Sequence, residues 1–208
     1  EVEILENGNI FKGIKKGTVT SNDGIILNAN EFIYNKTLNI LNAKGNVIIE
    51  DKINNYVLYT DNATYLKNKN IIITQGKSKA IDLNDDTIIE GDEFIYNKNL
   101  NTLNAKKKVI IEDKIRNYKL LSEDITYLKN QEKIFTKGKT QAFIKSKYDF
   151  DSKNVVFLKK IMQLSSNEKT KITDNNNQLY NLSKFVFSID KEELKAEKIL
   201  IITNYNLP

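Results

Sequence analysis

The hexapeptide Glu31-Phe32-Ile33-Tyr34-Asn35-Lys36 returns 62 residues later as Glu93-Phe94-Ile95-Tyr96-Asn97-Lys98. Between segments 31–81 and 93–143, 32 of 51 aligned positions are identical. At half that spacing a tyrosine recurs, at Tyr34, Tyr65, Tyr96 and Tyr127. A period of about 31 residues is typical of a stacked repeat architecture. We therefore predict an array of such units, in which a pair of units has been duplicated.

Within each unit the apolar residues alternate with polar ones, as in Phe32 and Tyr34 or Val47 and Ile49. Alternation of this kind predicts a strand with one buried face. β-branched residues are dense, turn signals rich in asparagine recur at short intervals, and the only proline is Pro208. These features argue against helices of any length and favour an all-β chain.

A step of three residues separates the small residue Ala29 from Phe32, and the same step recurs in each unit. Because side chains alternate along a strand, an odd step turns one of them outward unless a bulge or bend lies between. We therefore predict a corner at Asn30-Glu31, with its polar residues facing water. A glycine at positions 45, 76 and 138 suits a bulge, but Lys107 takes the matching place and argues against an obligatory positive φ there.

The repeats predict a single domain over residues 1–208. It would comprise an irregular first coil at 1–24, regular repeats at about 25–143 and irregular repeats at about 144–208. The unpaired strand edges at both ends of such a stack predict head-to-tail association. The chain ends within an apolar phrase and is expected to be part of a longer protein.

The charged residues exclude several function classes. The 32 basic and 27 acidic residues give a net charge of +5 and are interspersed, and Arg116 is the only arginine. This pattern indicates a solvated surface rather than a nucleic-acid tract. Histidine and cysteine are absent, so hydrolytic triads, thiol nucleophiles and the common zinc sites are unavailable. We therefore expect no enzyme, no cofactor and no metal.

Two acidic motifs and the tyrosine column could carry chemistry. The pair Glu50-Asp51, repeated at Glu112-Asp113, could act as an acid and a base, but its place after an apolar strand favours a solvated turn. Asp82 and its acidic neighbours could bind calcium, yet the glycine-rich nonapeptide pattern is missing. The tyrosines could stack on bases or sugars, but an internal ladder is the simpler interpretation.

The phrases at 27–34, Leu-Asn-Ala-Asn-Glu-Phe-Ile-Tyr, and at 41–49, Leu-Asn-Ala-Lys-Gly-Asn-Val-Ile-Ile, recur in successive copies. They resemble the OstA-like family of lipopolysaccharide-transport domains over roughly residues 8–202. Within that family the chain looks most like the amino-terminal periplasmic domain of LptD, and next like the bridge protein LptA. The resemblance implies an elongated β-jellyroll, a taco-like stack of V-shaped antiparallel strands.

The resemblance also implies a function. Lipid A acyl chains of lipopolysaccharide would lie in an apolar groove and pass across the periplasm to the outer membrane, without a cofactor. The implied partners are lipopolysaccharide and an LptA-like bridge protein at an edge strand, plus a carboxy-terminal membrane barrel and a plug lipoprotein if the chain is LptD-like. The implied lipid-binding residues are Leu27, Phe32, Tyr34, Val47, Ile49, Leu58, Tyr65, Ile89, Phe94, Tyr96, Val109, Ile111, Leu120, Ile125 and Tyr127.

Lysines at the rim, such as Lys36, Lys52, Lys98 and Lys114, could contact lipid A phosphates, although exposed lysines usually serve solubility. Two other function classes stay open on the sequence. One is a closed, filled β-helix acting as an adhesin or polysaccharide-binding surface. The other is a cytosolic scaffold made of β repeats.

Overall fold

The computed structural model describes residues 2–203 and consists of strands joined by short turns. Eighteen strands belong to one sheet, and the paired strands run antiparallel. The predicted all-β class is therefore confirmed. The chain divides into two compact units, Glu1–Lys106 and Lys107–Pro208, and a single domain stays a prediction. Residues 204–208, where the predicted irregular repeats end, and Glu1 of the first coil lie outside the described part.

The first unit is a meander in which each strand pairs with the next, from β1 to β7. Its strands are β1 (Val2–Leu5), β2 (Ile10–Thr20), β3 (Ile25–Asn35), β4 (Ile40–Asp51), β5 (Tyr56–Leu66), β6 (Ile71–Asp82), β7 (Thr87–Asn97) and the beginning of β8 (Thr102–Asp113).

The second unit begins with the rest of β8 and two further long strands, after which the strands are short. Its strands are β9 (Tyr118–Leu128), β10 (Lys133–Ile144), β11 (Tyr148–Lys153), β12 (Val156–Leu158), β13 (Gln163–Ser166), β14 (Thr170–Asp174), β15 (Leu179–Leu182), β16 (Lys184–Ser188), β17 (Glu193–Glu197) and β18 (Leu200–Ile202).

Each 31-residue repeat is thus two long strands and two four-residue turns. The last turn residue usually adopts a left-handed conformation, as at Asn39 (φ 54°), Asn70 (φ 53°) and Asn101 (φ 50°). Asparagine tolerates this conformation better than most residues with a side chain. The regular placement of asparagine in the sequence therefore marks the ends of the turns.

The long strands bend in the middle, as predicted. In the pairing of β4 with β5, Gly45 and Asn46 together oppose the single residue Asp61. Thr60 and Ala63 are both buried although they lie three positions apart, because the bulge resets the alternation. The expectation for Lys107 was wrong, since it has a φ of 64° without being glycine.

Buried hydroxyl groups line the inside of each bend. In the first unit, Ser78 Oγ lies 3.0 Å from Thr60 Oγ1 and 2.7 Å from Thr74 Oγ1. Thr74 Oγ1 in turn accepts a hydrogen bond of 3.0 Å from the amide of Phe94. These small side chains satisfy backbone groups that a regular ladder would have paired. Their size also lets the two arms of each strand fold towards each other.

Beyond β10 the bend becomes a break, and each long strand is replaced by two short ones. β11, β14, β15 and β18 pair in that order and form one arm. β12, β13, β16 and β17 form the other arm. The irregular repeats at the carboxyl end therefore keep the two-armed design with interrupted strands. Within residues 2–203 no helix has the length and apolar character needed to cross a bilayer.

Candidate functional site: an apolar interior closed by a polar seam

The faces of the two arms that look towards each other are apolar and tightly buried. Thirteen of the fifteen residues predicted to line a lipid path are no more than 1% exposed. They are Leu27, Val47, Ile49, Leu58, Tyr65, Ile89, Phe94, Tyr96, Val109, Ile111, Leu120, Ile125 and Tyr127. The structure therefore places them inside their units, where side chains fill the space between the arms. Lipid binding by these residues remains a prediction.

Phe32 and Tyr34 are the two exceptions, since both are only partly buried. The Phe32 ring lies against Gly13 and Gly17 of β2, whose missing side chains leave room for it. The Tyr34 hydroxyl donates a 2.9 Å hydrogen bond to Asn39 Oδ1 in the adjacent turn. These residues lie near the first strands of the unit, where fewer neighbouring strands cover them.

The turns at the strand ends form two rows, and in the first unit the rows meet along a line that we call the seam. One row comprises turns 21–24, 52–55 and 83–86, and the other comprises 36–39, 67–70 and 98–101. Consecutive turns of the second row are joined by backbone hydrogen bonds from Lys67 to Asn39 (3.1 Å) and from Lys98 to Asn70 (2.9 Å).

The first seam contact centres on Asp23. Its carboxylate accepts a short hydrogen bond from the Tyr65 hydroxyl and lies 3.3 Å from the Lys98 ammonium group. Lys98 Nζ also donates to the Asp23 carbonyl. A polar cavity of about 340 Å³ adjoins this contact and is lined by Asn39, Lys67 and Asn70, among others.

The second seam contact joins Tyr96 and Asp51. The Tyr96 hydroxyl donates a 2.9 Å hydrogen bond to Asp51 Oδ2, and the Tyr96 ring packs 5.3 Å from that of Tyr56. Asp51 Oδ1 accepts from the amides of Ile53 and Asn54, both at 3.1 Å. One carboxylate therefore caps its own turn and holds the opposite row.

The second unit closes in the same way with different residues. Tyr118, at the start of β9, packs edge-on against Phe157 with ring centres 4.7 Å apart. Lys147 forms a short ion pair with Glu192, and the Tyr148 hydroxyl donates to the same carboxylate at 3.2 Å. In the first unit the two tyrosine contacts, Tyr65 with Asp23 and Tyr96 with Asp51, join residues 42 and 45 positions apart, and each spans three strands.

The seam shifts the pKa values of its groups in directions that keep it closed near neutral pH. Burial and the negative charge of Asp51 hold the pKa of Tyr96 far above its ordinary value. Burial and Asp23 do the same to the pKa of Tyr65. Burial acts to raise the pKa of Asp23, but hydrogen bonds from Tyr65 and Lys98 outweigh it and bring the pKa below 3.8. The tyrosines therefore stay donors and Asp23 stays an acceptor.

Two expectations about charged residues were wrong. Asp51 and Asp113 were predicted to lie in solvated turns, yet they are only 3% and 2% exposed. Lys98 was predicted at an exposed rim but is buried and paired with Asp23. Asp51, Asp82 and Asp113 stand 31 residues apart at strand ends, and this acidic column was the signal that could have revealed the seam. Lys36, Lys52 and Lys114 are exposed as predicted.

No protein-family model matches the chain, and no curated protein matches its sequence. Among solved structures the chain is similar to LptH of Pseudomonas aeruginosa, described as the LptA homologous periplasmic component of the conserved lipopolysaccharide transport device. The identity is 10%, the match covers 88% of this chain and 99% of LptH, and the TM-score is 0.27. A TM-score this low carries no weight for fold or function.

Proposed function

We propose that this chain binds lipopolysaccharide through its lipid A acyl chains and passes it across the periplasm towards the outer membrane. The site would be the apolar interior between the two arms. The chain would act as a non-catalytic member of the lipopolysaccharide transport and outer-membrane assembly machinery. The observation that carries this proposal is an apolar interior that continues from repeat to repeat and is closed at the seam by side-chain contacts.

The energetics favour a seam that lipid can part. A hydrogen bond that involves a charged group contributes roughly 1.5–3 kcal/mol, so separating the contacts at Asp23 and Asp51 costs several kcal/mol. An acyl chain gains about 0.8 kcal/mol for each buried methylene, so about ten methylenes gain about 8 kcal/mol. Displaced interior side chains would exchange one apolar contact for another. An acyl chain could therefore replace the closed seam with little net cost.

The polar surroundings of the seam suit the other end of the lipid. The cavity that Asp23 lines also has Lys67 and Asn39 among its lining residues. We propose that the phosphorylated sugars lie there while the acyl chains lie between the arms. Phosphate is a strong acceptor for ammonium and amide donors.

The partners follow from exposed strands at the ends of each unit. In the first unit, the side chains of β1 include Val2, Ile4 and Leu5, which are 46–63% exposed. In the second unit, β18 exposes Leu200, Ile201 and Ile202. Unpaired edges with apolar side chains are suited to adding a strand from another protein. We propose an LptA-like bridge protein as that partner, with the chain serving as the LptD-like receiver.

Photo-crosslinking in cells tests the proposal. A photoreactive phenylalanine analogue at Phe94 would face the interior, whereas one at the neighbouring Ile95 would face outward, since these side chains are 0% and 39% exposed. We expect lipopolysaccharide adducts at Phe94 and none at Ile95. Adducts at both positions would indicate non-specific lipid association. A secreted, folded protein without adducts at Phe94 would refute the proposal.

A filled structural repeat is the second candidate, and the tight burial of the interior favours it. A groove of about 330 Å³ in the first unit lies at the bends of β3 to β6, where outward residues such as Ile33 and Ile73 line it together with Phe32 and the buried Ala43 and Ala63. On this reading the repeats present an adhesive or polysaccharide-binding surface. Cross-linking the seam with a disulfide would leave such a role intact, whereas it would stop a lipid carrier.

A further inference from the structure

The turns beside the seam carry aliphatic side chains at their most exposed positions. In the first unit Leu38, Ile53 and Leu100 are 60%, 67% and 66% exposed. Leu38 and Leu100 take the third place in turns 36–39 and 98–101, and Ile53 takes the second place in 52–55. The exposure of large aliphatic side chains to water is unfavourable. Leu38 and Leu100 take equivalent places 62 residues apart, which distinguishes them from a single stray residue.

These tips lie on one side of the unit. Ile53 follows Asp51 by two residues, and Leu100 follows Tyr96 by four. Because Tyr96 donates to Asp51 across the seam, the turns that carry Ile53 and Leu100 flank the same contact. The turn of Leu38 joins this surface through the backbone hydrogen bond from Lys67 to Asn39.

Basic side chains surround the aliphatic tips. Exposed Lys52 precedes Ile53, and Lys67 and Lys69 occupy the turn between those of Leu38 and Leu100. The nearby acidic group of Asp23 is already engaged by Tyr65 and Lys98. The turn at 83–86 carries two acidic residues and marks where the basic surface ends.

The second unit has the same combination. Ile115 is 79% exposed and stands between Lys114 and Arg116 in turn 114–117. In turn 159–162, Ile161 is 55% exposed and follows exposed Lys160. The pattern therefore recurs at turns whose sequences otherwise differ.

We propose that the seam-side turns dock on an anionic lipid surface. The aliphatic tips would enter the boundary between head groups and acyl chains, and the lysines would approach the phosphates. Interfacial binding of this kind combines apolar insertion with attraction to negative lipids. It goes beyond transport through the interior, because it needs only the outside of the turns and places the seam next to a membrane.

Vesicle co-sedimentation of the full chain tests the docking. The probes are vesicles of phosphatidylcholine alone and of phosphatidylcholine mixed with phosphatidylglycerol. Three double variants are compared with the wild type. The tip variant carries Ile53→Asn and Leu100→Asn, the lysine variant carries Lys52→Gln and Lys69→Gln, and the third is a matched charge control. The control is Lys77→Gln with Lys106→Gln, because both lysines are exposed at mid-strand bends, away from the tips.

The wild-type chain is expected to sediment with the anionic vesicles and to stay in solution with the neutral ones. The double variant of the aliphatic tips and the double variant of Lys52 and Lys69 should each weaken vesicle binding by about tenfold. The control at the bends should leave vesicle binding unchanged. Circular dichroism confirms that each variant is folded. Failure of the wild type to bind, as expected if the tips contact a protein instead, would overturn the proposal. An equal loss of vesicle binding in the bend control and in the variant of Lys52 and Lys69 would overturn it too, because the attraction would then depend only on overall charge. The Phe94 cross-link is a separate readout, so either proposal can fail alone.

Discussion

Replacing Tyr96 by phenylalanine removes one seam contact and keeps the ring. The hydroxyl donates to Asp51 Oδ2 at 2.9 Å and is almost fully buried. A hydrogen bond to a charged group contributes roughly 1.5–3 kcal/mol, so Tyr96→Phe should lower the free energy of unfolding by that amount. With a urea m-value of about 2 kcal/mol/M, the midpoint falls by about 1 M.

Urea unfolding followed by circular dichroism measures this loss. The matched control is Tyr59→Phe, since Tyr59 points outward on β5 and is 39% exposed. A double-mutant cycle with Asp51→Asn separates the tyrosine contact from the cap that Asp51 provides to its own turn. The proposed lipid path adds a second expectation, namely that Tyr96→Phe takes up lipopolysaccharide faster than the wild type. Equal effects of Tyr96→Phe and Tyr59→Phe, or a coupling energy near zero, would refute a stabilising seam.

Three further predictions concern the interior, the pH dependence and the bend. Ile111→Asp buries an unpaired carboxylate, so it should lower the free energy of unfolding in urea by more than about 4 kcal/mol and stop lipid transfer. The control Ile110→Asp lies one residue away on the outer face and should lower the free energy of unfolding by only about 1 kcal/mol. Because folding lowers the pKa of Asp23, the stability that Asp23 contributes is present above pH 3.8 and is lost as the pH falls through the lower pKa of the folded state. Asp23→Asn should therefore make stability fall less steeply with pH in acid unfolding curves. An unchanged dependence of stability on pH would contradict this role of Asp23. Lys107→Gly should raise the thermal midpoint, because it relieves up to about 1 kcal/mol of left-handed strain, whereas Lys106→Gly in ordinary strand geometry should lower it.

The repeat, the strands and the bends could be predicted because each leaves a periodic trace. The 31-residue period sets two strands and two turns, and the odd step from Ala29 to Phe32 requires a bulge. The same alternation identified thirteen buried interior residues. Asparagine at the turn ends follows from the left-handed conformation that it tolerates.

The acidic column could have indicated a seam, but the partners within it could not be predicted, because the contacts join residues that the period does not align. Asp51 and Tyr96 are 45 residues apart, which matches neither the repeat nor its double. Their contact depends on how far the two arms fold towards each other, and no local pattern encodes that angle. The burial of Asp51 follows from this closure, since an acidic residue at a strand end normally faces water. The exposure of Phe32 and Tyr34 has a similar origin, because burial there depends on neighbouring strands.

The two-strand repeat also makes length adjustable in fixed steps. Neighbouring strands in a sheet lie about 4.8 Å apart, so each 31-residue repeat advances the stack by about 10 Å. Removing or adding one whole repeat would move every later strand by two strand positions in the sheet, so inward side chains would stay inward. Each seam residue would then contact the equivalent partner residue one repeat away. Such a protein can be fitted to the width of a gap by counting repeats, with no redesign of its core.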